Sequence, residues 1–407
     1  MTLTRRSLLG TAAAAATTLP RAGRAAEPVL RIGVMNDQSG PYRDDTGMTG
    51  VACARQAVQE FTAGRGMAVE VVFADHQNKP DLGVSIARQW FDRDGVDAIV
   101  DVPTSSVALA VNTVCREKNK VMLNSGAATT DLTGAQCSPN LVHWTYDTYM
   151  LARSTGGAMV RAGGDTWFFI TADYVFGKQL QRDTSRFVEE AGGKVLGSAI
   201  YPFPGTTDFS SFLIQAQASG AKVLGLANSG ADTLNCIKQA REFGLMKQMR
   251  VAAMLMYNSN VHALGLDTAQ GLLLTESFYW NLNDRTRAFM ERIKPKVPNQ
   301  WPNMVQAGDY AATLHYLKAV ADMGVAAAKA DGRAAVARMK AMPTDDDCFG
   351  QGTIRADGRT LHPSYLFQAK TQAESTGPWD CMKLVTTTPA DQAFRPLDQG
   401  GCPLVHS

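Results

Sequence analysis

The strongest constraint on the fold is an alternation of short apolar runs with helix-length amphipathic stretches, which begins at Val29. Two series of four such runs follow one another. They cover residues 29–35, 69–74, 97–102 and 120–124, then 167–171, 194–201, 222–227 and 250–255. Continuously apolar strands separated by amphipathic helices are typical of parallel sheets covered by helices on both faces. The sequence therefore predicts an α/β fold with two doubly wound parallel-sheet lobes.

The last third of the chain breaks this alternation. The patterns there predict a strand over 271–279, helices over 284–293, 304–323 and 332–340, and short strands over 352–355, 365–369 and 382–386. Such a block indicates that the chain passes repeatedly between the lobes, and repeated crossings form a hinge over a cleft. We expect one lobe from 28–145 and 276–360, a second from 146–275 and 361–388, and a tail from 389–407.

The first 25 residues have the composition of an export signal. The pair Arg5-Arg6 precedes an apolar run over 8–19, and small residues over 22–26 provide a cleavage zone. The run is too short to span a bilayer, and the twin arginine resembles the signal for export of folded proteins. We therefore expect cleavage of this signal and a soluble periplasmic protein. No lipid anchor is expected, because the first cysteine is Cys53.

Charge and missing motifs disfavour several function classes. Loss of the signal removes four arginines and no acid, so the net charge of +2 becomes −2, and no basic block remains for nucleic acid or an anionic membrane. No G-x-S-x-G, H-E-x-x-H, P-loop or G-x-G-x-x-G motif is present, and the six histidines lack a second ligand at metal-site spacing. We expect no enzyme activity, no cofactor and no metal. The acidic runs at 44–45 and 345–347 are interpreted as solvated charge.

The seven cysteines leave at least one thiol unpaired in an exported chain. Three lie in helical windows, where cysteine is usually a small core residue. These three are Cys53, Cys115 and Cys236. The other four lie in loops or at strand starts, where two disulfides are possible. Cys137 and Cys402 both occupy proline-containing loops, and Cys348 and Cys381 both precede late strands.

Three loops after first-series strands combine small hydroxyl residues with a following helix. They are residues 36–42, 103–106 and 125–130. Free backbone amides and hydroxyls at the positive end of a helix bind an anion, most simply a carboxylate. Each loop alone would be interpreted as a turn or helix cap. Three in succession at the ligand-binding edge of one sheet predict a shared site.

These segments resemble the branched-chain amino acid type of periplasmic binding protein. The resemblance rests on residues 29–42, 103–106, 125–133 and 171–177 and extends over essentially the whole mature chain. It implies a type I fold with two lobes and a three-crossover hinge, and a monomer that delivers a small-molecule ligand to an inner-membrane ABC permease. Segments 75–80, 143–147 and 401–404 resemble the branch that binds aromatic, lignin-derived acids.

The resemblance also implies ligand-binding residues in both lobes. In the first lobe a serine hydroxyl, backbone groups and a threonine would hold the carboxylate beside a tyrosine; these positions are Ser105 or Ser106, Ala127, Thr129 and Tyr42. In the second lobe the corresponding positions are Tyr174, Phe176, Asn228 and Tyr257. Tyr146 and Trp280, at the predicted crossovers, would help to sandwich an aromatic ring.

One departure from the family pattern bears on the ligand. Amino acid binders place a carboxylate in the second lobe against the ligand ammonium, and residues 256–260 contain none. A buried ammonium without a counter-charge is unfavourable, so we expect a small aromatic acid such as a hydroxycinnamate or benzoate. Asp232 or Glu276 could replace the missing acid, which keeps a branched-chain or other amino acid or amide open as the ligand.

Two further function classes fit an exported two-lobed chain. An exported enzyme could acquire a cofactor before export, but no catalytic constellation supports that hypothesis. A sensory ligand-binding protein needs the same hinge and pocket as a transport receptor, so the sequence does not separate these two functions.

Overall fold

The computed structural model describes residues 28–405, so the predicted signal at 1–25 lies outside the described residues. The first series of apolar runs forms most of a five-stranded parallel sheet with the order β2-β1-β3-β4-β5. Its strands are β1 (Leu30–Asn36), β2 (Val69–Asp75), β3 (Ala98–Asp101), β4 (Val121–Asn124) and β5 (Leu141–His143). Three helices join the first four strands: α1 (Gly47–Thr62), α2 (Pro80–Gln89) and α3 (Ser105–Glu117).

The second series forms a four-stranded parallel sheet with the order β7-β6-β8-β9. Two short helices, α4 (Thr148–Leu151) and α5 (Gly157–Arg161), precede it. Its strands are β6 (Thr166–Ala172), β7 (Lys194–Tyr201), β8 (Val223–Ala227) and β9 (Arg250–Ala253). The helices that follow them are α6 (Val175–Glu190), α7 (Ser210–Ala218), α8 (Gly230–Glu242), α9 (Asn258–Leu264) and α10 (Leu266–Ala269). The predicted pair of doubly wound parallel sheets is therefore confirmed.

The last third of the chain returns to both lobes. Its strands are β10 (Leu273–Glu276), β11 (Thr344–Asp346), β12 (Gly350–Ile354), β13 (Thr360–Leu361), β14 (Ser364–Ala369) and β15 (Met382–Thr388). Its helices are α11 (Asp284–Ile293), α12 (Met304–Met323), α13 (Val325–Ala330), α14 (Gly332–Ala341) and α15 (Ala390–Ala393). Helix α12 packs on α1 of the first lobe. By contrast, β10 pairs antiparallel with β14, and Leu274 and Phe367 of these strands join the hydrophobic cluster of the second sheet. The lobe boundaries given above remain a prediction.

None of the helices within residues 28–405 has both the length and the apolar composition needed to cross a membrane.

A buried arginine joins two segments at which the lobe prediction places chain crossings. Arg359 is fully buried, and its guanidinium donates hydrogen bonds to the carbonyls of His143, Thr145 and Tyr146. Asp147 supplies a carboxylate oxygen at 3.4 Å. Burial lowers the pKa of Arg359 to about 10, which leaves it charged at neutral pH. The arginine therefore connects the segment after β5 with the segment that leads to β13 and β14.

One predicted disulfide is present and the other is wrong. Cys137 and Cys402 are joined, with their Cα atoms 5.6 Å apart, so the C-terminal tail is attached to the loop before β5. Cys348 and Cys381 are free thiols. They precede strands of different sheets, and each is buried in a different hydrophobic cluster. The three cysteines predicted to be core residues are also buried free thiols.

Candidate functional site

A small cavity lies between the two lobes, beside the carboxyl ends of their parallel strands. In open α/β sheets this edge is where ligands bind. The lining residues are Tyr42, Asp45, Thr46, Pro103, Gly126, Ala128, Tyr146, Tyr174, Phe176, Ser229, Leu255 and Tyr257. Five of the predicted ligand-binding residues are in this set: Tyr42, Tyr146, Tyr174, Phe176 and Tyr257.

Hydroxyl pairs of tyrosines connect the two walls of the cavity. Tyr42 follows β1 and Tyr174 follows β6, and their hydroxyl oxygens are 2.6 Å apart. The hydroxyls of Tyr146 and Tyr257 are 2.8 Å apart, and Tyr146 also donates to the carbonyl of Gly126 at 2.6 Å. Burial raises the pKa of all four phenols, so they stay protonated and act as neutral hydrogen-bonding groups. The structure is therefore a closed form, with the lobes in contact across the cleft.

The predicted carboxylate contacts of the first lobe do not line the cavity, but each is close in sequence to a residue that does. Ala127 lies between two lining residues, and the Thr129 hydroxyl accepts a hydrogen bond from the Asp131 amide at 3.2 Å. Ser105 and Ser106 begin α3, two and three residues after the lining residue Pro103. No side-chain cap satisfies the first amides of α3. The hydroxyl oxygen of Ser105 is buried without a hydrogen-bond partner in the described chain.

Backbone strain and a buried acid pair shape this wall. Asp101 and Val102, at the end of β3, have φ angles of 80° and 56°, which non-glycine residues rarely adopt. The Asp101 carboxyl accepts a hydrogen bond from the Asn36 amide at 3.0 Å and faces Asp309 on α12. Burial raises the pKa of Asp101 to about 7 and that of Asp309 well above its ordinary value. Burial disfavours ionisation of both acids, and the charge of Asp101 further disfavours ionisation of Asp309.

Glycine is required where this wall approaches the cavity. A Cβ atom at Gly126 would lie 2.5 Å from the Asp101 carboxyl and 2.6 Å from the Pro103 Cα. The loops after β3 and β4 are therefore in close contact.

Asp45 is a lining residue that the sequence analysis interpreted as solvated charge, and that interpretation is wrong. Only 2% of the surface of Asp45 is exposed to solvent. One carboxylate oxygen, Oδ1, accepts hydrogen bonds from Asn260 Nδ2 at 2.8 Å and Ser259 Oγ at 3.3 Å. The other oxygen, Oδ2, has no partner among the described residues. Burial raises the pKa of Asp45 to about 7. Asp346 of the second acidic run is also buried, and its carboxylate accepts hydrogen bonds from the backbone amides of Cys348 and Phe349.

The two acids proposed as substitutes for the family carboxylate do not line the cavity. Asp232 accepts a hydrogen bond from the Tyr201 hydroxyl at 2.7 Å. Glu276 accepts backbone hydrogen bonds through both oxygens, from Asn258 at 2.7 Å and Met304 at 3.2 Å. Asp45, contributed by the first lobe, is therefore the carboxylate that faces the cavity.

Two other predicted residues lie away from the cavity. Trp280 donates its indole N–H to the carbonyl of Trp379 at 2.8 Å and packs edge-on against Trp301. The Asn228 amide oxygen accepts a hydrogen bond from Thr233 at 2.7 Å, and the next residue, Ser229, lines the cavity instead. The prediction missed seven lining residues: Asp45, Thr46, Pro103, Gly126, Ala128, Ser229 and Leu255. All seven lie in or beside loops that the sequence analysis had identified as strand ends, so the loops were recognisable but not the orientation of each residue.

Comparisons with known proteins give the family. Residues 29–376 match the family described as periplasmic binding protein. A crystal structure of a periplasmic binding protein from Burkholderia mallei is 46% identical, with a TM-score of 0.88 over 92% of this chain and 99% of that chain. A branched-chain amino acid ABC transporter periplasmic ligand-binding protein from Burkholderia xenovorans is 37% identical, with a TM-score of 0.80 over 92% of this chain and 99% of that chain.

A more distant solved structure shares the fold. It is an ABC transporter solute-binding protein from R. palustris in complex with benzoate. That protein is 20% identical, with a TM-score of 0.81 over 92% of this chain and all of that chain. The family match spans most of the described residues, and the cavity lies where two lobes can close on a small molecule. The chain therefore belongs to the periplasmic binding protein family and is a ligand-binding receptor of an ABC transporter rather than an enzyme.

Proposed function

We propose that this receptor binds a small aromatic carboxylic acid in the cleft and delivers it to an ABC permease. The observation that carries the proposal is the set of aromatic side chains around the cavity, contributed by both lobes: Tyr42, Tyr146, Tyr174, Phe176 and Tyr257. Flat rings on facing walls suit a planar ligand, and the phenol hydroxyls supply directional polar contacts. The benzoate complex of the R. palustris protein is consistent with such a ligand in this fold.

The ligand carboxylate would bind at the start of α3. This 13-residue helix has no side-chain cap, and the buried Ser105 hydroxyl beside it has no partner. Helix amides and the helix dipole at this end favour an anion. We keep Ser106, Ala127 and Thr129 as proposed contacts, because each lies within three residues of a lining residue in the first-lobe wall.

We also propose that residues 1–25 direct export of the folded protein, which would place the receptor in the periplasm. The twin arginine and short apolar run support this proposal. Formation of the bond between Cys137 and Cys402 would follow export into an oxidising compartment.

Asp45 favours one alternative ligand class, the amino acids. The expected ammonium partner is missing from 256–260, but the free oxygen of Asp45 places a carboxylate at the cavity from the opposite lobe. A ligand ammonium could pair with it. A ligand screen must therefore contain amino acids as well as aromatic and aliphatic acids.

A thermal-shift screen tests the proposal. A ligand present at 100 times its Kd stabilises the folded state by about 2.7 kcal/mol, which raises Tm by several degrees for a chain of this size. We expect benzoates or cinnamates to produce this shift. Calorimetry on Ser105→Ala should then show roughly ten- to hundred-fold weaker binding, as expected when a charged ligand loses a hydroxyl partner.

A matched control is Thr113→Ala on the same helix. Its hydroxyl bonds the Leu109 carbonyl within α3 and is not at the cavity. Ligand affinity should be unchanged in this variant. Stabilisation by leucine or valine alone, with none by aromatic acids, would contradict the proposed ligand class while leaving the receptor assignment intact.

A further inference from the structure

The Asp45 carboxylate is held rigidly with one oxygen free. Asn260 and Ser259 hold Oδ1, and the backbone carbonyl of Asp45 accepts a hydrogen bond from Asn303 Nδ2 at 2.9 Å. Beside Oδ2 lies Gly230, where even a single Cβ atom would be 3.0 Å from that oxygen. Gly230 has no side chain that could pair with this oxygen. Oδ2 is therefore a positioned acceptor without a partner in the protein.

Two carbonyls of the lining already accept a hydrogen bond from another lining side chain. The Gly126 carbonyl accepts a hydrogen bond from the Tyr146 hydroxyl, and the Leu255 carbonyl accepts one from the Ser229 hydroxyl at 3.2 Å. An ammonium group brings three N–H donors, and each one left without an acceptor in a closed cavity is costly. A hydroxyl brings one donor. The single free oxygen therefore matches a hydroxyl better than an ammonium.

Asp45 precedes α1, whereas the proposed carboxylate site is at the start of α3. Hydrogen bonds join the Gly126 carbonyl to the Tyr146 hydroxyl and that hydroxyl to the Tyr257 hydroxyl. Tyr257 precedes α9, and Asn260 of α9 donates a hydrogen bond to Asp45. A ligand whose carboxylate binds at the start of α3 would therefore need a second polar group to pair with Asp45.

We infer that Asp45 is a specificity-determining residue that accepts a hydrogen bond from a ring hydroxyl of the ligand, so that the preferred ligand is a hydroxylated aromatic carboxylate. This inference rests on the proposed function, because it presupposes an aromatic acid in the cleft. Oδ2 is buried in the closed cleft, so a ligand hydroxyl would give it a partner, and a ligand without a hydroxyl leaves it unpaired.

Matched ligand pairs test the inference directly. Isothermal titration calorimetry would compare benzoate with 4-hydroxybenzoate, and cinnamate with 4-hydroxycinnamate, on the wild-type protein. At pH 8, above the Asp45 pKa of about 7, we expect the hydroxylated member of at least one pair to bind roughly ten- to a hundred-fold tighter, as for other hydrogen bonds to a charged group. In Asp45→Ala this ratio should fall to near one.

The control variant is Asn260→Ala. It removes a contact to Oδ1 of Asp45 across the cleft but leaves Oδ2 in place. Both members of a ligand pair should lose affinity to the same extent, so their ratio should stay at the wild-type value. Because the readout is a ratio, a general loss of stability in either variant does not imitate the expected result.

The outcomes separate this inference from the proposed function. If aromatic acids bind but the hydroxyl gives no advantage in the wild-type protein, the role of Asp45 is overturned and the proposed function survives. The same holds if Asp45→Ala retains the advantage. If leucine or phenylalanine binds and no aromatic acid does, both are overturned, and a loss of that binding in Asp45→Ala would identify Asp45 as an ammonium partner.

Discussion

A methyl group at Gly230 should prevent closure of the cleft. Gly230 begins α8 in the second lobe and faces the loop after β1 in the first lobe. A Cβ atom there would lie 2.4 Å from the Pro41 carbonyl oxygen and 2.9 Å from the Tyr42 ring. Ordinary contacts begin at 3.4 Å, so the two lobes would have to separate by about 1 Å at this point. Backbone cannot yield as a flexible side chain can, and Gly230→Ala should therefore hold the lobes apart.

The expected loss of affinity follows from the contacts that closure forms here. They are the hydrogen bond from the Ala231 amide to the Pro41 carbonyl at 3.0 Å, the Tyr42–Tyr174 hydroxyl pair, and the bond from Asn260 to Asp45. At about 0.5–1.5 kcal/mol each, three such bonds contribute about 1.5–4.5 kcal/mol to the closed state. Ligand affinity should therefore fall by roughly ten- to a thousand-fold.

Gly244→Ala is the matched control. Gly244 lies in the same lobe with φ +67°, close to the +61° of Gly230, and nothing is within 4 Å of its Cβ position. Both variants should lose about 1–2 kcal/mol of stability from the left-handed backbone conformation. Calorimetry with the ligand that gives the largest Tm shift in the screen should show weaker binding only for Gly230→Ala. Its radius of gyration in small-angle scattering should also fail to decrease on ligand addition. Equal affinities of the two variants would refute the clash as a barrier to closure.

Three further predictions concern stability. The Cys137→Ser, Cys402→Ser double variant should lose about 2–5 kcal/mol in urea unfolding, because the bond closes a loop across 265 residues, and reductant should change only the wild type. Arg359→Met should cost about 3–5 kcal/mol, since it leaves the buried Asp147 without its cation; less than 1 kcal/mol would show that the crossovers do not depend on this residue. Burial raises the pKa of Glu276 from 4.5 to about 8, so folding takes up a proton and the unfolding free energy contributed by this group falls as pH rises from about 5 to 8. The difference in unfolding free energy between Glu276→Gln and the wild type should change between about pH 5 and 8. A difference that stays constant over this range would contradict the raised pKa.

Periodicity predicted the architecture well because it depends on burial of whole elements. Central strands such as β3 and β8 are buried throughout and therefore apolar, so their runs were visible in the sequence, and their order located the loops at the binding edge. The three-residue strand β5 is too short to give such a run and was not predicted. The same loops contain Tyr42 and Tyr174. Their hydroxyl oxygens are 2.6 Å apart, although the two residues are 132 positions apart in the sequence.

Individual side-chain environments could not be predicted in this way. Asp44 and Asp45 are adjacent acids in one loop, yet one side chain is 66% exposed and the other is buried against α9. Whether an acid is solvated depends on what the opposite lobe places beside it, and no local pattern records that. Similarly, Cys348 and Cys381 both precede late strands, but their distance depends on sheet order. Trp280 shows the same limit, since its indole packs on Trp301 instead of the cavity.

The placement of the cysteines makes the folded protein suitable for selective chemical labelling. All seven are described: two form the disulfide and five are buried thiols, so a maleimide dye has no accessible native target. Arg43, with a side chain 60% exposed, shares a groove at the cleft mouth with Thr207 of the second lobe. A cysteine introduced in place of Arg43 would carry a single environment-sensitive fluorophore whose emission reports closure of the cleft. The receptor could thereby become a reagentless sensor for its own ligand.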